Sequence, residues 1–326
     1  MTGKVYKSTG SWYVVKIAGG EVWNARLKGI LKLDGITSTN PIAVGDEVEM
    51  EAENGDEHTA IITEIHDRRN YINRQSPSHR MQHHIVAANL DQSLLIATLK
   101  EPRTSQGFID RFLVACEMYH VPAIIVFNKA DLYRKKEEDK FGEWQQMYEA
   151  VGYRVIRMSV QTGEGVEEVR AALKGRISLL SGHSGVGKSS FLNAIFPGLG
   201  QKTQGLSGWS GKGIHTTTFA EMFDLPAEAG VAEAGEAPGV GGDTFPGSII
   251  DTPGMREFGL VNVTRAELSG YFPEMRVLAG ECQFNNCLHA EEPGCVVKEG
   301  VREGRIAEDR YVSYRTILDS IDEKNY

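Results

Sequence analysis

The chain has 326 residues, 41% of them hydrophobic and 24% charged, enough for two or three domains with cores of their own. No stretch approaches the roughly 18 uninterrupted apolar residues of a membrane span, and no apolar run follows the lysines of Met1 to Gly10 as a secretory leader requires. A formal net charge of −9 counts against a sequence-blind nucleic-acid binder, while leaving room for a local basic patch.

Residues 1–72 read as short strands at Val5–Tyr6, Trp12–Ile17, Glu21–Leu27, Glu47–Ala52 and Thr59–Ile65, several of them alternating. Turn residues separate them, at Gly19-Gly20, Asp34-Gly35 and Asn54-Gly55-Asp56, which predicts a small β-barrel. From about Gln92 the rhythm becomes strand–helix alternation, the sign of a parallel sheet with crossover helices. Strands are expected at Ser93–Leu99, Ala123–Phe127, Val155–Met158, Ile177–Leu180, Phe219–Phe223 and Ser248–Ile250. Helices are expected at Phe108–Tyr119, Glu137–Val151, Val166–Leu173 and Ser189–Phe196. The Gly-, Ala- and Glu-rich stretch Glu228–Gly242 reads as a surface loop, and helices around a cysteine-bearing loop follow from about Asn262.

Asn128-Lys129-Ala130-Asp131 follows an apolar strand, the setting of the N-K-x-D guanine reader. The Asp131 carboxylate can accept the N1–H and 2-amino hydrogens of guanine, a donor pair that adenine lacks. Asn128 can tie neighbouring loops, and the Lys129 stem can lie over the base. A plain Asn/Asp turn is the competing reading. Ser159-Val160-Gln161-Thr162-Gly163 can add a second base contact through the Val160 N–H; the bland alternative is a helix N-cap at Thr162.

Gly182-His183-Ser184-Gly185-Val186-Gly187-Lys188-Ser189 fits G-x-x-x-x-G-K-[ST] between a strand and a helix. Its glycines let N–H groups turn toward phosphates, and the next helix offers its positive end, with Ser190 in its first turn. Lys188 is expected on the β- and γ-phosphates and Ser189 on Mg²⁺. Asp251-Thr252-Pro253-Gly254 ends a strand as D-x-x-G does, with Asp251 expected near Mg²⁺ and the Gly254 N–H near the γ-phosphate; a Pro-Gly turn is the alternative. Among His215-Thr216-Thr217-Thr218, Thr217 is the first choice and Thr216 the second to complete the Mg²⁺ shell, while Thr218 fits a β-branched strand entry. Met255 stands where a water-orienting glutamine is usual, so hydrolysis in isolation should be slow and His215 is the in-chain candidate for the missing group.

Four cysteines are too few for a disulfide framework. Cys282, Cys287, His289 and Cys295 form a Cys₃His set suited to one closed, structural Zn²⁺ site; Cys116 reads as core. This cysteine usage favours a reducing cytoplasm.

The motifs run N-K-x-D, then the phosphate loop, then D-x-x-G, whereas in ordinary small GTPases the phosphate loop comes first and the N-K-x-D last, so the expected domain is circularly permuted. With this order the chain resembles the bacterial ribosome-small-subunit-dependent GTPase A family, the permuted GTPases also called YjeQ. The resemblance rests on an OB-fold-like barrel, Gly182–Ser189, His215–Thr218 and the C-terminal metal residues. It implies binding to the immature 30S particle and its rRNA, help in late 30S maturation, and GTP hydrolysis there. It also matches Met255 and puts the proposed catalytic histidine at His215.

The expected architecture is multi-domain: residues 1–72 an OB-fold-like β-barrel, 73–261 a circularly permuted α/β P-loop GTPase domain, and 262–326 a mostly helical zinc-binding domain. The expected ligands are GTP and GDP with Mg²⁺, and nothing suggests an obligate oligomer. Two other readings are a nucleotide-gated RNA- or ribosome-binding module with secondary hydrolysis, and an ATPase or kinase on the same phosphate loop. The acids of the barrel (Asp46, Glu47, Glu49, Glu51, Glu53, Asp56, Glu57) sit poorly with an rRNA face. The candidate basic points are Lys4, Lys7, Lys16, Arg26, Lys28, Arg68, Arg69, Lys202 and Lys212.

Overall fold

The structure, a computed structural model, describes residues 1–27, 41–53, 58–75, 83–195, 220–225, 246–251, 260 and 263–321. The first strands are β1 (Thr2–Ser8), β2 (Tyr13–Ile17), β3 (Val22–Leu27), β4 (Glu47–Ala52) and β5 (Thr59–Ile65). They pair in the order β1-β2-β3-β5-β4, and β4 returns to β1, so the sheet closes on itself. Alternate residues point inward, as the two-residue repeat of a strand requires: Val5, Val15, Ala25, Val48, Met50, Ala60 and Ile62 are buried together with Tyr13 and Ile42. This is the barrel expected from the spacing of turns. A hairpin of β6 (Tyr71–Gln75) and β7 (His83–Ala88) follows, bridged to the barrel through Val44 and Ala87. The sequence pattern marks no element between residue 72 and Gln92.

The remaining sheet contains β8 (Gln92–Ala97), β9 (Ala123–Phe127), β10 (Arg154–Arg157), β11 (Ile177–Ser181), β12 (Glu221–Asp224) and β13 (Ser248–Asp251), in the spatial order β10-β9-β8-β11-β13-β12. All are parallel except the edge strand β12. Helices cover both faces, which is why β8 and β11 are buried along their whole length. On one face lie α1 (Gln106–Met118) and α2 (Lys135–Ala150), with Phe112, Cys116, Trp144 and Tyr148 against Leu95 and Ile125. On the other lie α3 (Val166–Leu173) and α4 (Lys188–Ile195), with Val169, Leu173, Phe191 and Ile195 against Leu94 and Val126. The chain steps outward from β8 to β10, then returns to β11 and steps outward the other way. The reversal lies between β8 and β11, and open α/β sheets bind ligands beyond the strand ends at such a point.

Helix α3 starts at Val166, not at Thr162. Gly165, at φ 69°, precedes it, and a Cβ there would meet the Arg157 carbonyl oxygen at 2.0 Å. The reading of Thr162 as a helix N-cap therefore fails. The loop 228–242 and the ends Phe196 and Phe219 lie outside the described residues.

Barrel and α/β sheet are continuous, because β1 pairs with the edge strand β12 at Lys7 and Glu221. Side chains reinforce the join. Lys7 Nζ reaches Glu221 at 3.0 Å, and Asp224 accepts bonds from Tyr6 Oη (2.7 Å), Lys16 Nζ (2.5 Å) and Ser248 Oγ (2.7 Å). The C-terminal part contains α5 (Pro273–Ala279), α6 (Val296–Arg302) and α7 (Glu308–Ser320). Phe272, Met275, Val297, Tyr314 and Ile317 build its core, which Val114 of α1 joins. Inside this seam Arg310, 1% exposed, bonds to Asp110 of α1 (2.6 Å) and Glu274 of α5 (2.7 Å).

Candidate functional site

The phosphate loop leaves β11 with three residues at positive φ, Gly182 (142°), Gly185 (84°) and Gly187 (100°). Two of these positions exclude any other residue by close approach as well. A Cβ on Gly182 would lie 2.4 Å from the Ile96 carbonyl oxygen, and one on Gly187 would lie 2.3 Å from Asn128 Nδ2. Val186 anchors the loop in the core, fully buried under α4. Ser184, Gly185, Ser189 and Ser190 are exposed and line the open side. Lys188 Nζ folds back over the loop and donates to the carbonyls of Gly182 (2.5 Å) and His183 (2.9 Å). Burial pushes the Lys188 pKa down and the charge of Asp251 draws it partly back, so the D-x-x-G acid stands within electrostatic reach of the lysine. Asp251 is in register with Leu180 on β11, one residue from the strand end that feeds the loop. His183 lies over Phe108 of α1, ring centroids 3.6 Å apart, and burial followed by the Lys188 charge lowers its pKa.

The residues expected to read the base meet this loop. Asn128 is buried at the end of β9; its Nδ2 donates to the Val186 carbonyl (2.8 Å) and its Oδ1 accepts from the Val160 N–H (3.3 Å). One side chain thus ties three loops together. Lys129 adopts the left-handed conformation (φ 65°), and its ammonium donates to the Glu101 carbonyl. That turn leads into the short 3-10 helix Ala130–Leu132, with Ala130 buried and Asp131 exposed at the rim. Ser159 is fully buried, and its Oγ donates to Asp131 Oδ1 at 2.5 Å, which fixes that carboxylate. Asn128, Ser159, Val160, Val186, Lys188 and Asp251 therefore gather at the ends of β9, β10, β11 and β13. His215, Thr216, Thr217, Thr218, Gly254 and Met255 lie outside the described residues.

The second cluster sits between α5 and α6. Ligand atoms of Cys282, Cys287, His289 and Cys295 all lie within 4.8 Å of one another. His289 Nδ1 is 3.4 Å from Cys295 Sγ and 3.6 Å from Cys282 Sγ, and the Cys282 and Cys295 sulfurs are 4.0 Å apart. A tetrahedral metal with bonds of about 2.3 Å needs ligand separations of about 3.8 Å, so the set can hold one ion with no position left open. Burial pushes the Cys287 thiol up to about 12, with neighbouring thiols adding to it, so a dication is what would favour the thiolate. Helix α7 holds the backbone around this cluster: Tyr311 Oη donates to the His289 carbonyl (2.7 Å) and Tyr314 Oη to the Leu288 carbonyl (2.6 Å). The spacing of the four ligands did not reveal these tyrosines; their i, i+3 pairing on one helix face is the signal that could have.

Among the described residues, the barrel's expected basic points all have acidic partners. Lys4 pairs with Glu47, Lys7 with Glu221, Lys16 with Asp224, Arg26 with Glu53, and Arg69 with Asp91. Arg68 is structural, bonded at 2.7 Å to the fully buried Asp46. Of the barrel's acids, Asp46, Glu47 and Glu53 are partners of these basic residues. Lys28, Lys202 and Lys212 lie outside the described residues.

A P-loop at a sheet's switch point, tied through an asparagine to an N-K-x-D turn that precedes it in the chain, defines a circularly permuted GTPase. The profile of the RsgA GTPase family matches residues 65–242, and that of the RsgA N-terminal domain matches residues 2–61. The small ribosomal subunit biogenesis GTPase RsgA of Flavobacterium psychrophilum is 46% identical, over 99% of this chain and 94% of its own length. Its namesake from Bacteroides fragilis is 45% identical over 100% and 99%. Among solved structures, YjeQ from Thermotoga maritima superposes with a TM-score of 0.74 at 32% identity, covering 98% of this chain and 97% of that one. YloQ, described as a circularly permuted GTPase, gives 0.71 at 27% identity, covering 100% and 96%. The chain belongs to the RsgA GTPase family.

Proposed function

We propose that this chain hydrolyses GTP while bound to the maturing small (30S) ribosomal subunit, in the cytoplasm and as a monomer. The observation that carries the nucleotide half is the Asn128 bridge, which brings phosphate loop and base-reading turn to one opening. The names of relatives aligned over nearly the whole chain support the ribosomal half. In this reading the units 1–72, 73–261 and 262–326 serve as partner-binding barrel, engine and metal-pinned C-terminal segment.

Within the pocket Asp131 pairs with guanine N1–H and the 2-amino group, held in aim by Ser159, and Lys188 leaves the loop carbonyls for the β- and γ-phosphates. Ser189, Thr217 or Thr216, and Asp251 would hold a Mg²⁺ ion, which would supply positive charge opposite the diphosphate. His215 supplies the group that Met255 cannot. Hydrolysis measured with and without 30S subunits checks the reading: turnover should rise at least about tenfold with subunits. Equal rates in the two assays would leave a nucleotide-gated binder. Stimulation surviving in His215→Ala removes that residue from the mechanism.

Zn²⁺ is the metal proposed for Cys282, Cys287, His289 and Cys295, since soft thiolates with one imidazole in a closed tetrahedral set suit it. Elemental analysis of the purified chain should find close to one zinc per molecule, and a His289→Ala sample clearly less. Iron in place of zinc would refute the assignment.

A further inference from the structure

We propose that Arg157 is a positioning residue for guanine recognition. It stands behind both base-reading loops and holds their separation. The proposal rests on the assignment of Asp131 and Ser159 to the base.

Arg157 is the last residue of β10 and the loop Ser159–Gly163 begins two residues later. Its guanidinium makes a two-pronged contact with Glu138 of α2, at 2.7 and 2.8 Å. Its Nε lies 2.9 Å from Glu164 Oε1, a charge contact rather than an aligned hydrogen bond. The same planar group packs over the rings of Tyr133 (5.6 Å) and Phe141 (5.8 Å). Two of these neighbours, Tyr133 and Glu164, belong to the base-reading segments, and Glu138 and Phe141 to the helix between them. Tyr133 comes two residues after Asp131, and its hydroxyl donates to the Asn128 carbonyl (3.4 Å). Glu164 closes the second loop, since its carbonyl accepts the Ser159 N–H (2.9 Å). Ser159 in turn holds Asp131. The loop also has little freedom beneath, because Gly165 passes so close to the Arg157 carbonyl that a Cβ would overlap it.

Arg157 is therefore where the turn bearing Asp131, the start of α2 and the loop bearing Ser159 and Val160 are fastened together. Its own bonded partners, Glu138 and Glu164, lie outside the phosphate loop, so its contribution is expected in base binding. Only arginine supplies a planar fork and a stacking face at once; a lysine ammonium keeps the charge and loses both. A carboxylate displaced by even a fraction of an ångström loses hydrogen bonding to the base steeply.

The test measures GDP affinity, and KM and kcat for GTP, in Arg157→Met, Arg157→Lys and Glu164→Gln, with Arg154→Met as the control. Arg154 lies on the same strand and pairs with Glu168 at 3.0 Å, on an exposed edge. The expected result is a rise of about tenfold or more in Kd and KM for Arg157→Met, with kcat changed less than about twofold. Arg157→Lys should not restore affinity, Glu164→Gln should weaken it several-fold, and the control should leave it unchanged. Unchanged Kd in folded Arg157→Met overturns the proposal, as does an equal loss in kcat and kcat/KM. If that variant fails to fold, Glu164→Gln decides alone, and wild-type affinity there overturns the proposal. Wild-type preference for GDP over ADP is measured alongside: its absence sinks the base-pocket assignment itself, whereas its presence with unaffected variants sinks only the role of Arg157.

Discussion

Lys188→Ala is expected to weaken GDP binding by roughly a hundredfold or more and to abolish measurable GTP turnover, with the fold intact. A charge-assisted hydrogen bond is worth about 1.5–3 kcal/mol, and Lys188 can make more than one to a triphosphate. Its surroundings enlarge the effect. The ammonium is more than half withdrawn from water, which is why its pKa falls, and an anion restores what desolvation removed. The carbonyls of Gly182 and His183 would also lose their donor, so the loop itself relaxes. Titration calorimetry with GDP, alongside circular dichroism to confirm folding, checks this. Near-normal affinity would mean the loop serves something other than phosphate.

Arg310→Ala should produce a large stability loss, about 3–5 kcal/mol. Arg310 and Asp110 are essentially inaccessible, at 1% and 0%, and Glu274 is nearly so. Burial raises the pKa of Asp110, and the charge of Arg310 is the main influence opposing that rise. Without the guanidinium two carboxyls and the Tyr148 hydroxyl, which donates to Asp110 at 3.0 Å, stay buried around a void. The loss should appear in urea unfolding as a lower midpoint. The double variant Asp110→Asn/Arg310→Met should recover part of it, because neutral groups carry less desolvation cost. A midpoint unmoved in Arg310→Ala would show that the buried charge cluster adds nothing to the joint between α1 and α7.

Both the barrel and the crossover sheet were legible because their signals are local. Alternation in Glu47–Ala52 and Thr59–Ile65 marks strands that face a core on one side, and the apolar runs at Ala123–Phe127 and Ile177–Leu180 mark strands covered on both. The phosphate loop and N-K-x-D announce themselves because each needs fixed residue types within a few positions. What stayed hidden depends on partners far apart in the chain. Arg310 meets Asp110 across 200 residues, and nothing on α7 distinguishes it from a solvent-facing arginine. The edge pairing of Lys7 with Glu221 is equally long-range, and it turns an expected RNA-facing lysine into part of a joint. Hairpin β6–β7 escaped because Asn73-Arg74-Gln75 and His83-His84 break any apolar alternation. Arg157 was unreadable for a different reason: its significance comes from three flanking segments, none of which carries a motif that includes it.

The shared pocket is tested most directly by titrating the full chain with GDP and with ADP under identical Mg²⁺ and salt. A carboxylate aimed by Ser159 at a guanine edge predicts tight GDP binding with ADP weaker by at least about a hundredfold, and near-equal, poor binding of both in Asp131→Ala. Comparable affinities of the wild-type chain for the two nucleotides would show that Asp131 does not read the base.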